Sequence, residues 1–138
     1  DASVGDNLGF ATLYPTAKAG LADRSGQRRR AGDVAEKLRI RMADLSQPIR
    51  NLSGGNQQKA VFGRWVLAGS KVLLLDEPTR GVDVGAKVEI YNIINEVTAA
   101  GGAVLMASSD LPEVLGMSDR ILVMSGGQLA GQLPKDST

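Results

Sequence analysis

Two apolar patterns alternate along this chain. Stretches with Val, Leu, Ile or Ala every three or four positions predict helices; short unbroken runs of Val, Leu and Met predict buried strands. Residues 4–13 are apolar and read as a helix, and Tyr14, Pro15 and Thr16 with the Ala-, Gly- and Arg-rich stretch to Gly32 read as loop. Asp33 is placed to cap a helix over residues 34–43, with Val34, Leu38 and Met42 on one face. Ser53 can cap a further helix, over about residues 56–67, which Gly69 and Ser70 stop.

Residues 71–76 carry an unbroken run of Val and Leu between Lys71 and Asp76, as expected for a central parallel strand covered on both faces. A helix over residues 86–98 follows, with Val88, Tyr91, Ile94 and Asn95 on one side and Ile90, Ile93 and Val97 beside them. A second apolar run at 103–107 completes strand, helix, strand, which predicts a parallel crossover. Asp110 and Glu113 then have the spacing of a capping box, with Pro112 inside the first turn. Residues 120–124 and 128–133 read as a hairpin around Ser125, Gly126 and Gly127, whose glycines supply the positive φ that a tight turn needs. The tail from Pro134 is polar and expected to fray.

Composition narrows the picture. At 138 residues and 43% hydrophobic content the chain has the makings of one ordinary core. A net charge of +1 implies neither nucleic acid nor an anionic membrane surface, and Arg28, Arg29 and Arg30 read as a solvated surface, with a permease or lipid headgroup contact as the alternative. The absence of cysteine excludes disulfides and thiol catalysis and fits a cytosolic protein. No apolar run approaches the ~18 residues of a membrane helix, and no basic-then-apolar leader opens the chain, so a membrane role is expected to be peripheral.

The candidate chemistry lies between Leu52 and Pro78. In Leu52-Ser53-Gly54-Gly55-Asn56-Gln57-Gln58-Lys59 the two glycines leave backbone N–H groups open at a helix start. Such a start carries roughly half a positive charge and binds anions such as phosphate. In Val72-Leu73-Leu74-Leu75-Asp76-Glu77-Pro78 a strand delivers two acids to its carboxyl end, where open α/β sheets hold ligands. One acid can hold a metal and its neighbour can orient or deprotonate a water.

The pair LSGGNQQK and VLLLDEPTRGVDVGAK, in this order, resembles the signature motif, the Walker B strand and the D-loop of the ATP-binding cassette (ABC) ATPases. The variants GGNQQK and TRGVDVGAK are similar to the C-terminal cassette of tandem-cassette ATPases that drive bacterial sugar importers of the ribose, galactose and xylose type. The resemblance implies an α/β fold: part of a RecA-like P-loop NTPase cassette, with parallel strands and crossover helices, part of the helical signature subdomain, and a C-terminal β-hairpin. Residues 1–69 would be the helical part and 70–138 the C-terminal part of the ATPase core.

It further implies ATP and Mg²⁺ as cofactors. Ser53, Gly54, Gly55, Asn56 and Gln57 would contact nucleotide, Asp76 would hold Mg²⁺ through water, Glu77 would polarise the attacking water, and Asp83 would be the D-loop residue. Ser109 stands where most members have a histidine that contacts the γ-phosphate; a hydroxyl cannot carry that positive charge. Implied partners are a second cassette, transmembrane permease subunits and, indirectly, a periplasmic sugar-binding protein, at the cytoplasmic face of the bacterial inner membrane and without nucleic acid. No G-x-x-x-x-G-K-[ST] phosphate loop occurs and the first residue is Asp1, so the sequence reads as the C-terminal part of a cassette, inactive alone. Two other readings use the same residues: a non-catalytic docking module, and a DNA-repair-type ATPase head. The latter is disfavoured because no heptads precede Leu52.

Overall fold

The computed structural model describes residues 2–12 and 23–134. Helix α1 (Val4–Gly9) starts at Ser3, whose hydroxyl accepts the Asp6 N–H at 3.1 Å while the Asp6 carboxylate accepts the Ser3 N–H at 3.4 Å. A 3₁₀ turn, Phe10–Thr12, continues it. Leu13 and the expected loop at Tyr14, Pro15 and Thr16 lie outside the described residues.

Helix α2 (Arg24–Lys37) departs from the sequence reading. Asp23 caps it, accepting the Gly26 N–H at 2.9 Å, and Asp33 lies exposed in its interior. Of the stretch read as loop, residues 24–32 are helical and residues 14–22 lie outside the described residues; the expected helical residues 38–43 are not helical. The reason is the face it buries: Gly26, Ala31 and Ala35 carry too little hydrophobicity to register as an apolar stripe. The helix ends in a Schellman motif, with Ile40 N–H on the Ala35 carbonyl and Arg39 N–H on that of Glu36, both at 2.9 Å, and Arg39 at φ 50.

After a 3₁₀ turn (Ile49–Asn51), helix α3 (Gly54–Leu67) runs to strand β1 (Val72–Asp76). Helix α4 (Val84–Ala99) crosses over to strand β2 (Ala103–Ala107). The two strands pair in parallel, Val72 opposite Ala103 through Asp76 opposite Ala107, as the strand, helix, strand pattern predicts. Helix α5 (Leu111–Met117) leads to an antiparallel hairpin of β3 (Arg120–Ser125) and β4 (Gln128–Pro134), with Gly126 and Gly127 at φ 55 and 76 as a type I′ turn requires.

The core lies among the helices. Val4 and Leu8 of α1, Ala31 and Ala35 of α2, Ala60 and Phe62 of α3, and Ile90, Ile93 and Ile94 of α4 form one buried cluster. Burial of β1 is one-sided: Leu73 is 4% exposed, but Val72 is 60% and Leu74 75% exposed. The expected cover on both faces is therefore not present among the described residues. The apolar run records a strand that could be sandwiched, and only its Leu73 side meets the helices.

Candidate functional site

The turn at residues 52–55 is built differently from a plain cap. Ser53 occupies the N-cap of α3, but its side chain makes no cap hydrogen bond. Its Oγ instead accepts Asn56 Nδ2 at 2.9 Å, and Asn56 Oδ1 accepts the Arg41 N–H at 2.8 Å. Gln57 donates to the Leu52 carbonyl at 2.8 Å and Gln58 to the Pro78 carbonyl at 2.9 Å. The amides of Asn56 and Gln57 thus hold the turn in shape, and that of Gln58 ties α3 to the segment after β1. The first-turn N–H groups of α3 have no intrahelical acceptor.

The two glycines have different duties. A Cβ on Gly54 would meet only the Gly81 carbonyl oxygen, at 3.8 Å, so this residue keeps the turn open to an approaching group. A Cβ on buried Gly55 would lie 2.5 Å from that of Ala86, so its bare backbone lets α3 pack against α4.

Asp76 ends β1 with its side chain exposed, beside a groove of about 390 Å³ lined by Gln58, Trp65, Leu74 and Pro78 among others. Glu77 turns the chain out of the strand at φ 47, its N–H on the Ala107 carbonyl at 2.9 Å. Its Oε1 accepts the Ser109 N–H at 2.8 Å. Glu77 and Ser109, remote in sequence, therefore meet, through the backbone amide of Ser109. Asp83 stands apart: it caps α4, its Oδ1 accepting the Ala86 N–H at 2.9 Å. Among the described residues no hydrogen bond joins Ser53, Gly54 or Gly55 to Asp76, Glu77 or Ser109.

Below Ser109 the expected capping box is half formed. Asp110 caps α5 by accepting the Glu113 N–H at 3.4 Å, but the buried Glu113 carboxylate accepts from Ser108 Oγ at 2.5 Å in place of the return bond. Ser108 Oγ also accepts the Asp110 N–H at 3.0 Å. Lys87 Nζ lies 2.6 Å from Asp110 Oδ2. That hydrogen bond is the main reason the Asp110 carboxyl sits below its ordinary range and the Lys87 ammonium above. Tyr91, on the same helix, is pushed up mainly by burial, with Glu113 adding to the shift.

Sequence reading missed Lys59, whose side chain is 2% exposed and donates to the Arg39 carbonyl at 2.5 Å and to Glu89 Oε2 at 2.9 Å. A signal existed: Lys59 shares the stripe of Gly55, Phe62 and Gly63, four positions after the first and three and four before the others, which α3 buries. Lys87 and Ser108 gave none, because their roles depend on partners that only the fold supplies, and Glu113 was marked only as the capping-box partner of Asp110.

The sequence model of the ABC transporter family matches residues 2–80. The chain is 80% identical over 136 residues to the ribose import ATP-binding protein RbsA of Corynebacterium glutamicum, covering 99% of this chain and 26% of that protein. It is 66% identical to a ribose import ATP-binding protein of Streptomyces coelicolor, over 96% of this chain and 26% of that one. The chain thus spans about a quarter of the length of these relatives. In structure it is similar to MJ1267, an ATP-binding cassette of an ABC transporter, with a TM-score of 0.82, 24% identity, and coverage of 99% of this chain and 57% of that one. The MJ0796 cassette gives a TM-score of 0.81 at 18% identity, over 97% of this chain and 57% of that one. No helix among the described residues is long and apolar enough to cross a membrane. An exposed turn opening α3, two acids closing a parallel strand, and these matches agree: the chain belongs to the ABC transporter family of ATP-binding cassettes.

Proposed function

We propose that this chain serves as part of the ATPase of a bacterial monosaccharide importer, ribose being the cargo named for the relatives that are 80% and 66% identical. Residues 1–69 act as the helical part and residues 70–138 as the C-terminal part of the ATPase core. The observation that carries the reading is the pairing of an open, glycine-bearing start of α3 with Asp76 and Glu77 at the carboxyl end of β1. Ser53 and Gly54 offer a hydroxyl and uncovered N–H groups to the γ-phosphate of an ATP. Asn56 and Gln57 act by fixing that turn, since their amides are engaged with Ser53 and Leu52.

The nucleotide lies between two cassettes, one giving a phosphate loop and the other the signature turn. MJ0796, a cassette of the same fold, has been seen as a dimer bound to ADP and Pi. In this arrangement the chain supplies its signature turn to an ATP held mainly by its partner cassette.

Asp76 is exposed, and no group of three His, Cys, Asp or Glu gathers as a metal site among the described residues. A lone carboxylate fits Mg²⁺, which keeps several waters and takes phosphate oxygens for its other ligands. The ion would neutralise developing phosphate charge. Glu77 would orient the attacking water, held by the Ser109 amide; Asp83 fixes the start of α4 at the cassette boundary. With Ser109 in place of a histidine, the site served by Glu77 hydrolyses ATP poorly. The permease in the membrane, a periplasmic binding protein and the cytoplasmic face of the inner membrane follow from the importer assignment.

Ser53→Arg tests this in a full-length protein carrying the sequence. Arginine would fill the turn, and ATPase activity should fall about a hundredfold or more, the scale of losing a preorganised transition-state donor. Unchanged turnover would overturn the assignment of the turn to nucleotide.

A further inference from the structure

We propose that Lys87 is a positioning residue for Glu77: through Asp110 it fixes the 108–110 turn whose Ser109 amide holds the Glu77 carboxylate. The inference rests on the functional reading above for the importance of Glu77, but the contact it concerns can be measured without turnover.

Ser109 contributes its backbone N–H, at 2.8 Å from Glu77 Oε1, and its own side chain is not the holding group. The placement of that amide therefore depends on what fixes the residues on either side. On one side Ser108 gives its hydroxyl hydrogen to buried Glu113, 2.5 Å away, and accepts the Asp110 N–H at 3.0 Å. On the other, the two Asp110 carboxylate oxygens divide their work: Oδ1 accepts the Glu113 N–H at 3.4 Å and Oδ2 takes Lys87 Nζ at 2.6 Å. Of these anchors only Lys87 comes from outside the 108–113 segment.

Lys87 lies in the first turns of α4, four positions after the Asp83 cap, and its backbone N–H bonds the Asp83 carbonyl at 3.0 Å. α4 itself is fixed to α3 at Gly55 and Ala86. Displacement of the segment that precedes α4 is thus carried by a short, charge-assisted bond to the turn that aims the carboxylate. Side chains of 29% and 35% exposure keep the pair accessible enough to break and re-form without stranding a buried charge.

The test is nuclear magnetic resonance of the 138-residue chain at neutral pH, the response being the change in the Ser109 amide proton shift when Glu77 is replaced by alanine. In the otherwise unmodified chain that response should be large, because Glu77→Ala removes the acceptor of the Ser109 N–H. Lys87→Met should at least halve the amplitude, Asp110→Asn, which keeps a capping side chain, should do the same, and Lys87→Arg should restore it. A full-amplitude response in both Lys87→Met and Asp110→Asn would overturn the proposal. Should Lys87→Met lose its fold, Asp110→Asn and Lys87→Arg decide alone. A full response in the unmodified chain together with undiminished slow turnover at the site Glu77 serves, read for Glu77→Gln in a full-length protein whose other ATP site is disabled, would count against the role of Glu77 in turnover while leaving this positioning intact.

Discussion

Lys59 Nζ lies 2.9 Å from Glu89 Oε2, joining α3 to α4, with the lysine side chain 2% and the glutamate side chain 40% exposed. The asymmetry of exposure makes the two partners unequal. Truncating the glutamate leaves a buried ammonium with only the Arg39 carbonyl for company, whereas truncating the lysine leaves a carboxylate that water can reach. Glu89→Ala should therefore destabilise by about 3 kcal/mol, the scale of an uncompensated buried charge. Lys59→Met, which keeps the buried volume, should cost about 1 kcal/mol. Urea denaturation of the two variants checks the order, and equal losses would refute it.

Gly54 and Gly55 should separate packing from ligand contact. Alanine at 55 forces a Cβ to within 2.5 Å of that of Ala86 and should destabilise by about 1–3 kcal/mol, as overpacking does. Alanine at 54 has only the Gly81 oxygen at 3.8 Å and should leave the melting temperature nearly unchanged. Any activity lost in Gly54→Ala would then belong to nucleotide binding.

Arg39 holds φ 50 at the end of α2 with its side chain exposed. The left-handed conformation penalises an L-residue, and glycine removes that penalty while giving back part of it as unfolded-state entropy. Arg39→Gly should thus stabilise the chain by about 0.5–1 kcal/mol. The bond from Lys59 goes to the backbone carbonyl and survives the change. A lower denaturation midpoint would show that the arginine side chain does more than cover surface.

Lys87 and Asp110 set opposite edges of a pH profile. Asp110 lies below 3.8, chiefly through its hydrogen bond from Lys87, so its contribution is present above 3.8 and lost as pH falls through the folded value. Lys87 lies above 10.5, chiefly through Asp110, so its contribution is present below 10.5 and lost as pH rises through the folded value. The pair is intact across the neutral range. The melting-temperature gap between the unmodified chain and Asp110→Asn should be flat near neutrality and close on acidification below 3.8. A gap that widens in acid would contradict the sign.

Much of this arrangement was legible in the residues. The run from Val72 to Asp76 could be little else than a parallel strand, and Gly126 with Gly127 marked the hairpin because few residues tolerate consecutive positive φ. The start of α2 was not legible, since Gly26, Ala31 and Ala35 pack by smallness, which a search for apolar stripes does not see. The meeting of Glu77 with Ser109, and of Lys59 with Arg39 and Glu89, could not be read either. Each joins segments 20 to 32 positions apart, and nothing local marks a residue for a partner so remote.

β1 pairs with β2 along one edge, and among the described residues no strand occupies the other, while Val72 and Leu74 lie open beside it. Unpaired main-chain donors and acceptors flanked by exposed aliphatic side chains form a template for strand addition. At high concentration, two copies can satisfy that edge with each other as readily as with a neighbour in a larger sheet. The same strand that brings Asp76 and Glu77 to the site thereby offers these residues a route to self-association, which Leu74→Lys should weaken without touching the acids.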